Sequence, residues 1–180
     1  MTRHEEVTTS PLGITVIKSK IETIEEEKLI EVYDGPFNYF LPRMVHSYVM
    51  ENKGTVFPPY RHLTESECQV QCIVGKACCL VVDLNPNSPT YKDIETYTIT
   101  DSNYITLYIP KNTNLFVGYM ALEDNTRIQF WTDKNVYGLW GGEALSLEDK
   151  SINLPWPIKV NEKSSYKGNY TVEEIAGFSF

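Results

Sequence analysis

Apolar and polar residues alternate along short segments of this chain, in the pattern of half-buried β-strands. The segments are rich in β-branched and aromatic residues, and turn-forming residues such as Asp34-Gly35-Pro36 and Asn52-Lys53-Gly54 separate them. Many short strands at this spacing are typical of an all-β sandwich or barrel. The predicted strands are Ile14–Ser19, Lys28–Tyr33, Met44–Met50, Glu67–Val74, Ala77–Leu84, Glu95–Ile99, Tyr104–Ile109, Leu115–Ala121 and Arg127–Thr132.

The strand around residue 70 predicts a barrel with a lined interior. Cys68 and Cys72 share one face of this strand, and Gln69 and Gln71 share the other, because successive side chains of a strand point to opposite sides. We expect one face to be packed and the other to be wet or to face a ligand. Gln69 and Gln71 are therefore candidate ligand-binding residues.

The ends of the chain differ from this β pattern. A short helix is predicted near Thr171–Ala176, with Thr171 as its N-cap and acidic residues in its first turn. Residues 1–10 are polar and acidic and are predicted to form a mobile tail. A chain of 180 residues suits one core, so residues 11–180 are predicted to form a single domain.

Charge and cysteine content exclude several classes of partner. The net charge of −8 disfavours nucleic acid as a partner, since binding it requires a basic face, and no apolar run approaches the roughly 18–20 residues that span a bilayer. The four cysteines form no CxxC pair, and Cys78 and Cys79 lie in an apolar run. We expect them to be buried free thiols, which predicts a reducing, cytoplasmic compartment.

Two segments carry a resemblance to one enzyme family. Val82–Tyr91 reads VDLNPNSPTY and resembles the VDLRxxSPTY stretch of the dTDP-4-dehydrorhamnose 3,5-epimerase family. Leu147–Pro157 reads LEDKSINLPWP and is similar to that family's WNDPxLxIxWP stretch, with the Asp-to-Trp spacing kept. Between them, Ile109-Pro110 opens a segment similar to IPxGxAHGF, and Trp131-Thr132-Asp133 resembles a later Thr-Asp turn.

The resemblance implies a fold and a ligand. The fold would be a cupin-type double-stranded β-helix, or jelly-roll barrel, forming a homodimer. Such a barrel would bind a nucleotide-linked 4-keto sugar in its mouth and would need no cofactor. Family epimerases abstract the proton next to the keto group with a histidine, which a buried aspartate orients. A tyrosine on the far side returns the proton.

The catalytic residues of the family are mostly replaced in this chain. By the motif spacing, Tyr60 stands at the position of the histidine, Gln129 at that of the tyrosine and Asp149 at that of the aspartate. Further family positions, two arginines and a second histidine, fall on Phe57, near Glu26 and on Leu115. Gln129 is therefore predicted to contact substrate, and Asp149 is the one family residue retained.

Neighbouring residues could substitute for those that are lost. His62 follows Tyr60 by two positions, so it shares the same strand face and is the candidate base. Arg61 could hold phosphate, and Tyr137 or Tyr60 could act as the acid. In the general cupin metal pattern Tyr60 replaces a histidine, which leaves too few ligands, so no metal is predicted.

Three hypotheses about function remain open. The protein could be an epimerase with substituted acid–base residues, in which Tyr60, His62 and Asp149 converge on a pocket with an arginine. It could be a non-catalytic cupin that acts as a binding or partner subunit, with a pocket plugged by side chains such as Phe57, Leu115 and Trp131. It could also act on an unrelated small molecule.

Overall fold

The computed structural model describes residues 4–19, 21–24, 27–30, 43–62, 66–111, 113–134, 142–164 and 166–178. The elements in this part of the chain are β1 (His4–Thr9), β2 (Thr15–Ser19), β3 (Ile21–Ile24), β4 (Glu27–Ile30), β5 (Met44–Met50), β6 (Val56–Arg61), β7 (Cys68–Val74), β8 (Lys76–Asp83), β9 (Ile94–Thr100), β10 (Ile105–Ile109), β11 (Leu115–Ala121), β12 (Thr126–Thr132) and α1 (Val172–Ala176).

Two antiparallel sheets make up the body of the protein. The larger sheet has the order β1-β2-β10-β7-β12-β5, and the smaller has the order β6-β11-β8-β9. A separate two-stranded sheet pairs β3 with β4 antiparallel. Residues from both sheets share one apolar core, to which β7 contributes Val70, β8 Val81 and β11 Val117. The predicted all-β fold is confirmed.

Most predicted elements are present with small shifts at their ends. Met44–Met50 and Leu115–Ala121 are observed as predicted, and α1 begins after Thr171, whose side chain forms a capping box with Glu174. The sequence did not predict β1, β3 or β6. Since β1 pairs with β2, the N-terminal segment predicted as a mobile tail contains a strand. In the described part of the chain, no helix is long and apolar enough to cross a membrane.

The strand β6 has a bulge that decides which of its side chains point inward. Phe57 pairs with Tyr119 and Tyr60 with Val117, so three steps along β6 correspond to two along β11. The extra residue lies at Pro58-Pro59, where a bulge tolerates the missing backbone N–H. As a result, both Phe57 and Tyr60 reach the inner core. A Cβ at Gly118 would meet the backbone N of Pro59 at 2.8 Å, so this strand contact requires glycine.

A C-terminal layer covers the outside of the smaller sheet. Residues 144–178 supply Leu145, Val172 and Ile175 to an outer apolar cluster with Leu80 and Phe116. Trp156 also packs against a second outer cluster of Val56, Cys78 and Met120. All four cysteines are free and buried, as predicted. The strands β6, β8 and β11 of the smaller sheet are therefore buried on both faces.

Candidate functional site

The predicted base and its neighbours lie at one end of the barrel, which we call the His62 end. The strand β6 ends there at Arg61, β11 begins at Leu115 and β12 ends at Thr132. The backbone N–H of His62 donates to the Leu115 carbonyl at 2.8 Å, which extends the pairing of β6 with β11 by one residue. The fold thus brings the segment after β6 to the mouth predicted from the sequence.

Tyr60 points into the barrel and is part of its packed core. Its ring makes an edge contact with Phe57 at a centroid distance of 5.0 Å, and the residue is only 7% exposed. Burial raises the pKa of the Tyr60 phenol well above its ordinary range, and Cys68 adds to the rise. A phenol this difficult to ionise is a poor substitute for a histidine that must take up a proton near neutral pH.

His62 is buried and neutral. It is 5% exposed, and its Nε2–H donates to the carbonyl oxygen of Ser66 at 2.8 Å. Burial lowers the pKa of His62 to about 4, against the opposing effects of the Ser66 hydrogen bond and the Asp133 charge. With Nε2 as the donor, Nδ1 is the nitrogen left with a lone pair.

The carboxylate near His62 is Asp133, not Asp149. Ser66 links the two, because its hydroxyl donates to Asp133 Oδ1 at 2.9 Å while its carbonyl accepts from His62. Asp133 also accepts from the backbone N–H of Glu67 at 2.9 Å. Asp133 is not among the site residues predicted from the sequence, although the Thr-Asp turn that contains it is part of the family resemblance. That turn was the available signal, since a carboxylate following a barrel strand lies at the mouth.

Asp149 serves the C-terminal layer instead. Its Oδ2 accepts from the backbone N–H of Val172 at 2.6 Å, and its Oδ1 from that of Ser151 at 2.8 Å. Burial opposes ionisation, but these backbone hydrogen bonds outweigh it and lower the pKa of Asp149. These hydrogen bonds hold the turn at Asp149 and the start of α1, so the predicted role of Asp149 in orienting the base stays a prediction.

Arg61 lies on the outward side of β6. Its guanidinium forms an ion pair with Glu143 at 2.9 Å and donates to Asn114 Oδ1 at 3.3 Å. A second cation at this end, Lys111, pairs with Glu67 at 3.2 Å. Both cations stand near the mouth, and both already have carboxylate partners.

The three predicted glutamines lie on the outer face of the larger sheet. Gln71 is the cross-strand partner of Gln129, and its amide donates to the hydroxyl of Thr106. Gln69 and Gln71 are 4% and 8% exposed, although they point away from the core that Val70 occupies. The structure does not bring them together with Tyr60. Tyr137 lies outside the described residues.

Two of the three side chains predicted to plug the pocket are inside the barrel. Phe57 and Leu115 belong to the inner core with Tyr60. Trp131 lies on the outer face, where it is the cross-strand partner of Gln69 and Val45. Over the part of the chain that is described, no cluster of three histidine, cysteine or acidic residues could hold a metal ion.

The two sheets around a closed core define the class of protein, a cupin-type β-barrel. An epimerase of Mycobacterium tuberculosis has the same fold, with a TM-score of 0.78 at 17% identity over 94% of this chain and 90% of that one. The dTDP-4-dehydrorhamnose 3,5-epimerase of Bacillus anthracis gives a TM-score of 0.74 at 17% identity, over 90% of this chain and 97% of that one.

The sequence then assigns the family. The sequence model of dTDP-4-dehydrorhamnose 3,5-epimerase matches residues 60–170, and the chain belongs to that family. A relative with this name from Shigella flexneri is 29% identical over 90 residues, which are 50% of this chain and 48% of the relative. The match thus spans about half the length of that curated relative. The family predicted from the motifs is confirmed.

Proposed function

We propose that this protein binds a nucleotide-linked sugar at the His62 end of its barrel and does not epimerise it. One observation supports the proposal: Tyr60, which motif spacing places at the position of the base, is packed in the apolar core. Asp149, predicted to orient the base, is held by the turn before α1.

The substitute base also fits this reaction poorly. A general base works best when its pKa is near the working pH, and the pKa of His62 is lowered to about 4. At neutral pH the His62 ring is unprotonated and can accept a proton, but its affinity for a proton is low. Removing the weakly acidic proton from the carbon next to a ketone needs a stronger base, or a positive group close enough to stabilise the negative charge that forms. Arg61, the nearest candidate for such support, is paired with Glu143.

Family membership and the fold support the ligand class. The Bacillus anthracis neighbour was solved with TDP and PPi bound. At the His62 end of this chain, Arg61 and Lys111 are two cations that a diphosphate could contact. Because each has a carboxylate partner, a diphosphate would displace Glu143 or Glu67 to reach it. We therefore expect a moderate affinity for the nucleotide alone.

A second candidate function is epimerisation with His62 as the base. The observation in its favour is the neutral His62 ring, whose Nε2 is fixed by Ser66 and whose Nδ1 keeps a lone pair. In this case the acid would be Tyr60, or Tyr137 from outside the described residues. The two candidates share the ligand and differ in whether a carbon–hydrogen bond is broken.

Thermal unfolding with dTDP, UDP, GDP and CDP tests the shared part. A ligand at about 100 times its Kd stabilises the native state by about 2.7 kcal/mol, which moves the Tm by several degrees. A selective shift with one nucleotide supports the binding site and identifies its base. If none of the four nucleotides or their linked sugars moves the Tm, the nucleotide-sugar function is contradicted.

Assembly and compartment are further proposals. We propose a homodimer, supported by exposed valines on the outer face of the larger sheet, where Val45 is 51% and Val49 47% exposed. Sedimentation of the purified chain would give twice the monomer mass if this is correct. The four free, buried thiols support a reducing compartment such as the cytoplasm.

A further inference from the structure

A cavity in the C-terminal layer, which we call the Trp156 cavity, lies outside the barrel. Its volume is about 760 Å³, within the range of small-molecule sites in proteins. All of its lining residues come from the stretch 147–160, and the apolar ones are Leu147, Ile152, Leu154, Trp156 and Val160. None of the residues described at the His62 end lines it. The cavity is therefore distinct from the proposed nucleotide-sugar site.

The Trp156 cavity lies where the two outer apolar clusters meet. Ile152 and Leu154 pack against the first of these clusters. Leu147 and Val160 pack against the second, and Trp156 packs against both. All five side chains are only partly buried. Their remaining surface forms an apolar wall, which gains free energy when a ligand covers it.

Trp156 adds a polar atom without a partner to this apolar wall. Its Nε1 is buried and has no hydrogen-bond partner in the described part of the chain. An indole N–H can only donate, and buried donors in proteins are nearly always paired. The partner that the described residues do not supply is therefore a hydrogen-bond acceptor.

The charged residues that line the cavity leave one cation unpaired. Glu148 already accepts from Lys167 Nζ at 3.0 Å, and both carboxylate oxygens of Asp149 accept from backbone N–H groups. Lys150 is exposed and forms no ion pair with any residue that the structure describes. An acceptor with a negative charge would complement both Lys150 and Trp156.

We propose that the Trp156 cavity binds an apolar carboxylic acid. The carboxylate accepts from Nε1–H of Trp156 and pairs with the ammonium of Lys150, because one carboxylate has room for several donors. The hydrocarbon part covers the wall that Leu147, Ile152 and Leu154 form, and its burial contributes most of the affinity. The inference goes beyond the proposed function, since both the ligand and the cavity are different.

NMR titration of the full chain with octanoate tests this assignment. The chain has three tryptophans, so the variant Trp156→Phe identifies which indole N–H signal belongs to Trp156. We expect octanoate to shift that signal to saturation with a Kd of about 1 mM or tighter. Octanol has the same hydrocarbon part without the charge, so it should bind more weakly.

The variant Lys150→Gln tests the role of the cation. It should weaken octanoate binding about twofold to fivefold, the effect of losing one exposed ion pair, and leave octanol binding unchanged. Lys163→Gln is the matched control, because Lys163 is an exposed lysine that does not line the cavity. Both substitutions are at exposed side chains, so both variants should fold like the wild type.

The possible outcomes separate this inference from the proposed function. A Trp156 signal that does not respond to octanoate overturns the inference, and so does equal affinity for octanoate and octanol. Wild-type affinity of Lys150→Gln for octanoate overturns it as well. A shift of the Trp156 signal by dTDP would overturn it too, because the cavity would then belong to the nucleotide site. Failure of every nucleotide to bind, with the octanoate response intact, contradicts the proposed function alone and leaves the inference supported.

Discussion

The two faces of the smaller sheet pack against different parts of the molecule. Outward, Leu80 and Phe116 pack under a C-terminal layer that contains one of the motifs of the family resemblance. Inward, Tyr60 and Tyr119 fill the part of the barrel where family chemistry would take place. The outer face packs under motif residues of the family resemblance, whereas the inner face is filled by aromatic side chains. The comparison teaches that motif residues such as Trp156 contribute to the packing of the barrel.

The motif residues have structural roles that explain the resemblance. Asp83 accepts from the backbone N–H of Asn85 at 2.9 Å and from the hydroxyl of Thr90 at 2.7 Å, which folds the turn after β8. Asp149 fixes the turn before α1 through Val172. Trp156 packs against both outer clusters. These motifs can therefore be explained by their structural roles alone.

The largest expected effect concerns the outer face. Phe116→Ala should destabilise the fold by about 3–5 kcal/mol, because Phe116 is fully buried and its removal leaves a cavity under the C-terminal layer. Urea unfolding of the variant and the wild type measures the difference. A loss below about 1 kcal/mol would contradict the view that this layer is a packed part of the fold.

A somewhat smaller effect is expected from the titration of His62. Burial lowers the pKa of His62 to about 4 in the folded protein, below the ordinary histidine value of 6.5 that applies in the unfolded chain, so the unfolded chain takes up the proton first as the pH falls. Stability should therefore be complete above pH 6.5 and decline between about 6.5 and 4, by about 3 kcal/mol. Unfolding curves across this range measure it.

The variant His62→Gln provides the control for that titration. This variant lacks the titrating ring. Over the same pH range, the slope of its unfolding free energy against pH should therefore be smaller by the equivalent of up to one bound proton. Identical pH dependence in the two proteins, or a His62 ring that titrates near 6.5 by NMR, would show that His62 is exposed to solvent. The proposed fixed, neutral histidine would then be wrong.

Asp149→Ala tests the separation of the two regions. Removing the acceptor for two backbone N–H groups should cost about 1–3 kcal/mol, measured by urea unfolding. The pKa of His62 should not change, because Asp149 hydrogen-bonds the turn before α1. The matched variant Asp133→Asn should lower the pKa of His62 further, since the Asp133 charge raises it. A response of His62 to Asp149→Ala instead would restore the predicted pair of base and orienter.

The smallest effect is expected for the glutamines. Gln71→Leu should cost about 1 kcal/mol of stability through the lost hydrogen bond to Thr106, measured by urea unfolding. Ligand affinity should stay within twofold of the wild type, because Gln71 lies on the outer face of the larger sheet. A tenfold loss of nucleotide-sugar affinity would return these residues to the binding site predicted from the sequence.

The sequence predicted the fold better than the site, for physical reasons. Alternation located strands such as Met44–Met50, but it could not identify β6, where Pro58-Pro59 lies in a bulge on an edge strand. Alternation also shows that Gln69 and Val70 lie on different faces of the strand, but it does not show which face points into the barrel. That depends on how the two sheets pair, which is a property of the whole chain.

The roles of individual site residues depend on contacts that are distant in sequence. His62 is buried and follows Tyr60 by two positions, and its role as the base stays a prediction. Motif spacing predicts Asp149 as the partner of the base. In the structure Asp149 lies in the C-terminal layer and accepts a hydrogen bond from the backbone N–H of Val172. The partner of His62 through Ser66 is Asp133, which β12 brings to the mouth.

Deuterium exchange tests the central claim most directly. The protein and the Mycobacterium tuberculosis epimerase, as positive control, would be incubated at equal concentration in heavy water with the dTDP-linked 4-keto sugar. NMR would follow both binding and the protons next to the keto group. We predict ligand binding with no deuterium uptake above the protein-free rate. Protein-dependent uptake that His62→Asn abolishes would contradict the account and make His62 the base of an active epimerase.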